Sequence, residues 1–175
     1  MVKNIPAIFL ENYILTASVN DARTLHDSNQ FGELLKSGQV KLSLLEGLYL
    51  HDSGKIQLGT GKKVYSFEQV VRKIKKFEKD VLVRFAVFKD LRDRGYTVKT
   101  ALKFGADFRV YDKGIAPGED HAKWVVFPVP ESQQFSWRDF SAKNRVAHST
   151  KKRLLLGIVD DEGDVTYYEV KWERP

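Results

Sequence analysis

The chain has 175 residues, 42% of them hydrophobic and 30% charged, with a formal net charge of +6; this is enough apolar material for a buried core, in one domain or in two small ones. It contains no cysteine, which excludes disulfides and thiolate metal sites and fits a reducing cytosol. No basic stretch leads into a long apolar run at the N-terminus, and no apolar segment reaches the roughly 18 residues of a membrane span, so a cytoplasmic protein without a membrane anchor is expected.

In chain order, residues up to about 65 alternate short strands and helices separated by turn residues. Ser43 and Glu46 form a capping box ahead of Leu44, Leu45, Leu48 and Leu50, with Gly54 beyond, which predicts a helix over 44–52. Ser66 and Gln69 form a second box. Phe67, Val70, Val71, Ile74 and Phe77 then recur at helical spacing with Arg72, Lys73, Lys75 and Lys76 on the other side, and Val81, Leu82, Phe85, Phe88 and Leu91 keep the period to Gly95. One long or broken helix from 67 to 94 is predicted. Residues 61–99 hold twelve Lys/Arg against five acids, while the stretches before and after are close to neutral; a basic helix face of this kind is ordinarily a solvated one.

After Gly95 the period changes to two. Ala106, Phe108 and Val110 alternate with Asp107, Arg109 and Tyr111, so one sheet face is apolar and the other offers an acid, a base and a phenol. Residues 112–120, with Gly114, Pro117 and Gly118, read as a loop, and Trp124 to Phe127 as a short strand with His121 at its mouth. Ser136 and Asp139 open a helix whose apolar positions are Trp137, Phe140, Val146 and Ala147. Leu154 to Val159 is a strand buried on both faces, with Lys151 and Lys152 at its junction with the helix. An acidic turn of Asp160, Asp161, Glu162, Gly163 and Asp164 leads into a last strand from Val165 to Trp172.

These blocks carry a family likeness. Tyr96, Val98-Lys99-Thr100, the run Lys103 to Phe108, Tyr111, His121 and the run Arg145 to Arg153 closely resemble the archaeal tRNA-splicing endonuclease, strongly over about residues 85–170 and more loosely through Leu42 to Leu50. The resemblance implies an α+β protein: an N-terminal α/β domain, taken as residues 1–83, and a C-terminal nuclease-like domain with a mixed sheet flanked by helices, taken as residues 84–175. It implies cleavage of precursor tRNA at both ends of a bulge-helix-bulge, leaving a 2′,3′-cyclic phosphate and a 5′-hydroxyl. It maps the family's catalytic tyrosine, histidine and lysine onto Tyr111, His121 and Lys152, with no metal and no cofactor.

The chemistry is coherent. RNA carries its own nucleophile in the 2′-hydroxyl, so cleavage needs a base for that proton, an acid for the departing 5′-oxygen and a cation for the charge growing on the phosphate. An imidazole, ordinarily titrating near 6.5, suits the acid, and an ammonium suits the cation. A phenol, ordinarily near 10, is mostly protonated at neutrality and needs nearby cations; Tyr111 is expected to position the 2′-hydroxyl and share in its deprotonation. By themselves these are a strand-end tyrosine, a loop histidine and a lysine after a helix, which mostly do structural work; the matching order and context raise them to candidates. His148 is expected to make a structural hydrogen bond.

The resemblance further makes Arg145 one jaw of a clamp that stacks on a flipped-out bulge base, with Trp172 or Arg174 as the other. It makes the acidic turn of Asp160, Asp161, Glu162 and Asp164 a plug for a basic cleft on a neighbouring subunit, which favours a homotetramer, with a heterotetramer containing a structural subunit as the alternative. Two other functions are compatible with the residues: a catalytically silent RNA-binding subunit, and a metal-dependent DNA nuclease using Glu169-x-Lys171.

Overall fold

The computed structural model describes residues 4–61, 63–173 and 175. The chain divides into two compact units, residues 1–82 and 83–175, each α+β and each built on its own mixed sheet.

In the first unit β1 (Ile5–Leu10) pairs antiparallel with β2 (Tyr13–Thr16), and α1 (Asn20–Asp27), β3 (Glu33–Leu34), β4 (Val40–Leu42) and α2 (Leu44–Asp52) follow. Next come β5 (Ile56–Thr60), parallel to β1, and β6 (Lys63–Val64), giving the sheet order β3-β4-β2-β1-β5-β6. Alternation sends Ile5, Ala7, Ile14, Ile56 and Leu58 into the core beneath α2. That helix starts where the capping box predicts. Ser43 Oγ accepts from Glu46 N, and the buried Glu46 carboxylate accepts from Ser43 N at 2.9 Å and Gly32 N at 3.0 Å. Gly47 lets α2 approach the sheet, since a methyl group there would collide with Ile14.

The Ser66 box also forms, but α3 (Phe67–Ile74) stops well short of 94. The periodic segment is two helices, with α4 (Val81–Asp93) beginning after a turn over residues 75–80. Asp80 adopts φ 53°, a left-handed conformation that an α-helix cannot contain.

The second unit continues from α4 through β7 (Thr97–Thr100), β8 (Phe108–Tyr111), β9 (Trp124–Pro130), α5 (Trp137–Ser149), β10 (Arg153–Val159) and β11 (Val165–Val170). The sheet order is β11-β10-β9-β8-β7. Only β9 and β10 run parallel, and α5 is their crossover. Val125, Phe127, Leu154 and Leu156 pack with Ala147 of α5 on one face. On the other, Phe108 meets Phe88 of α4 at 5.8 Å between ring centroids, and Gly157 admits Val87. Trp137 does not join this core: it is 84% exposed at the first position of α5 and touches Phe140 edge-on. Among the described residues, no helix is long and apolar enough to cross a membrane.

Candidate active site

The topology gathers separated residues at one end of the second sheet. Because β8 runs antiparallel to β9, the end of β8 lies beside the start of β9: Val110 pairs with Trp124, and Lys123 N donates to Val110 O at 2.9 Å. Because β10 runs parallel to β9, their starts coincide: Arg153 pairs with Trp124, and Arg153 N donates to Lys123 O at 3.0 Å. Tyr111, His121 and Lys152 therefore arrive together, and all three line one open pocket of about 330 Å³ with Phe104, Arg109 and Asp120.

Each is held differently. Tyr111 is only 4% exposed, whereas Asp107 and Arg109 on the same strand face are partly exposed. Its ring lies beneath the Arg109 guanidinium, 5.9 Å from Cζ to the ring centroid. His121 is exposed on the loop before β9, and its backbone N–H donates to the Asp120 carboxylate at 2.6 Å. Lys152 follows a Schellman turn at the end of α5. Lys151 N donates to His148 O, Lys152 N to Ala147 O, and Lys151 sits between them at φ 53°. The Lys152 Nζ then donates to Thr150 O at 2.9 Å, leaving two ammonium hydrogens for a ligand.

A second pocket of about 310 Å³ shares Lys152 as part of its wall and is otherwise lined by residues that include Asn144, His148, Val170 and Trp172. Trp172, 55% exposed and two residues past the end of β11, meets the His148 ring edge-on at 5.1 Å between centroids. His148 thus serves as an aromatic wall; the side-chain hydrogen bond expected of it is not formed with any described residue. The signal was available in the sequence, because Asn144 and His148 stand at i, i+4 on one face of α5. Arg145 is exposed on the same helix and lines neither pocket. Arg174 lies outside the described residues.

Glu169 is already engaged: its carboxylate accepts from Trp124 Nε1 at 2.7 Å and from Arg153 at 3.1 Å. The indole N–H holds the carboxyl below the usual carboxylate range against the opposing effect of burial, with further help from the Arg153 charge. This contact braces the first residues of β9 and β10, the strands that present His121 and Lys152.

The acidic turn is internally built. Asp160 accepts from Glu162 N at 3.0 Å and Asp164 N at 2.9 Å, and Gly163 takes φ 90°. Asp161, Glu162 and Asp164 remain exposed.

Comparison with known proteins agrees with this architecture. Residues 81–167 match the tRNA intron endonuclease catalytic C-terminal domain, and residues 5–71 match the tRNA intron endonuclease N-terminal domain. The chain is 43% identical to the tRNA-splicing endonuclease of Nanoarchaeum equitans over 83% of its own length and 97% of that protein. It is 41% identical to the enzyme of Thermococcus kodakarensis over 92% and 94%, and 46% identical to that of Pyrococcus furiosus over 86% and 85%. With both domains matched and identity sustained along nearly the whole of its relatives, the chain belongs to the tRNA intron endonuclease family and is an archaeal-type tRNA-splicing endonuclease, an RNA lyase.

Proposed function

We propose that this enzyme cuts precursor tRNA at both bulges of a bulge-helix-bulge by metal-independent acid and base catalysis, with Tyr111, His121 and Lys152 as the reacting side chains. The observation that carries the reading is their meeting in one pocket from three separate stretches of chain. Tyr111 positions the 2′-hydroxyl and shares in taking its proton. The 2′-oxygen attacks the adjacent phosphorus, His121 protonates the 5′-oxygen as its bond to phosphorus breaks, and Lys152 carries the charge on the non-bridging oxygens. The products are a 2′,3′-cyclic phosphate and a 5′-hydroxyl. The protein acts in the cytoplasm.

Recognition of the bulge falls to Arg145 and Trp172, with Arg174 as an alternative second jaw, stacking on an unpaired base. His148 extends the Trp172 surface. For assembly, a homotetramer joined through Asp160, Asp161, Glu162 and Asp164 gives two active sites at a fixed separation, which suits two cuts in one substrate; a heterotetramer with a structural subunit is the alternative.

The test is cleavage of a bulge-helix-bulge RNA in excess EDTA with analysis of the product ends. Full cutting that leaves cyclic phosphate is expected. Ends bearing a 3′-hydroxyl, or a Tyr111→Phe enzyme as fast as wild type, would overturn the mechanism.

A further inference from the structure

The pocket contains a second cation whose position is difficult to explain by stability. Arg109 stands two residues before Tyr111 in β8, so the pleat sends both side chains to the same face. Its guanidinium lies over the Tyr111 ring and shares the pocket with His121 and Lys152. Yet among the described residues Arg109 Nε is buried with no hydrogen-bond partner, and no carboxylate pairs with its guanidinium. The Nε atoms of Arg84 and Arg92 are buried in the same way, but both side chains are engaged: Arg84 reaches Asp107 at 2.8 Å and Arg92 donates to Tyr96 O at 3.3 Å, as Arg153 reaches Glu169 at 3.1 Å.

The acids closest at hand are committed elsewhere. Glu119 and Asp120 line the same pocket, but Glu119 Oε2 accepts from Ala116 N at 2.9 Å and Asp120 Oδ1 from His121 N. The strand register adds to the cost, since Arg109 stands directly opposite Lys99, and like charges facing each other across a strand pair are destabilising. A guanidinium with a buried Nε and no carboxylate in direct contact is unfavourable in the free protein. Its missing partner is an anion that enters the pocket. A phosphodiester fits, because its two non-bridging oxygens match the guanidinium fork with two parallel N–H···O bonds.

We propose that Arg109 is a further catalytic residue, which grips the non-bridging oxygens of the scissile phosphate opposite Lys152 while its plane holds the Tyr111 ring in place. This rests on the reading that the pocket cleaves RNA. Arg109 moves no proton. It stays charged throughout, donating hydrogen bonds as the 2′-oxygen to phosphorus bond forms and the phosphorus to 5′-oxygen bond breaks. Two cations then share the growing negative charge.

Arg109→Met and Arg109→Lys test this in single-turnover cleavage of a bulge-helix-bulge RNA, alongside thermal melting. The Met variant is expected to lose on the order of 10²–10³ in rate, as for removal of one transition-state donor. The Lys variant should recover only part of it, because a point charge cannot make the paired bonds. Both should melt at or above the wild-type temperature, since an uncompensated cation has been removed or loosened. A Met variant that cleaves within about threefold of wild type, or variants whose lost activity tracks a lowered melting temperature, would overturn the proposal. Titration with inorganic phosphate supplies an arm independent of cleavage: phosphate should raise the melting temperature of wild type and not of Arg109→Met, and equal shifts in both would also defeat it. Wild type leaving 3′-hydroxyl ends, by contrast, would defeat the cleavage mechanism while the phosphate titration still decided the role of Arg109.

Discussion

The ammonium of Lys152 donates a 2.9 Å hydrogen bond to the carbonyl of Thr150, two residues earlier in the same chain. This tie is made possible by the left-handed residue between them, Lys151, which turns the chain out of α5 and into β10. Non-glycine residues occupy that conformation at a cost of about 1 kcal/mol or more. Lys151→Gly is therefore expected to stabilise the protein by about 0.5–1 kcal/mol with cleavage largely unchanged. Denaturant titration together with a cleavage assay checks both halves. A loss of activity would mean that the Lys151 side chain itself takes part.

Contact between Trp172 and His148 makes a different prediction. If the indole is a stacking platform for an unpaired base, Trp172→Ala should weaken RNA binding by about 1–3 kcal/mol while leaving the melting temperature nearly unchanged, because the ring is 55% exposed. A large fall in stability with no change in affinity would assign Trp172 to packing alone.

The Glu169 carboxyl, held down chiefly by the Trp124 indole and then by Arg153, links the site to acidity. Its protonation is favoured more in the unfolded chain than in the folded one. The stability it contributes is accordingly complete above the ordinary carboxyl pKa of about 4.5 and is lost as pH falls through the lowered folded value. Melting followed from pH 7 down to 3 should show a steeper loss in wild type than in Glu169→Gln. Parallel curves would remove Glu169 as a source of acid sensitivity.

Gly157 sits where α4 crosses β10, and an added methyl would lie 2.9 Å from Val87 Cγ2 and 3.4 Å from Tyr167 Cε1. Valine is stiff at χ1 and gives way poorly. Gly157→Ala is expected to cost about 1–3 kcal/mol by overpacking, read as a lower denaturation midpoint with an unchanged slope. A neutral result would show that α4 shifts freely on the sheet.

For assembly, the internal hydrogen bonds of Asp160 separate shape from charge. Asp161→Ala with Glu162→Ala leaves the turn intact and removes only exposed charge. Sedimentation should show this double variant falling to a smaller species if the acidic turn docks on a neighbouring subunit. A double variant that keeps the wild-type size would refute the docking.

Local chemistry made much of this protein legible from its residues alone. The capping boxes at Ser43 and Ser66 fixed two helix starts because their donors and acceptors lie within one turn of each other. Period-two alternation placed Arg109 and Tyr111 on one strand face, and the spaced blocks around Tyr111, His121 and Lys152 pointed to the family. Relations between distant segments were decided by tertiary structure. Antiparallel β8 and parallel β10 are what bring the phenol, imidazole and ammonium to one end of the sheet. Packing made Tyr111 buried, left Trp137 in solvent and turned His148 toward Trp172. Burial also left Arg109 Nε without a hydrogen-bond partner among the described residues, a property no sequence pattern contains, because a missing hydrogen bond is defined by every neighbour that fails to reach it.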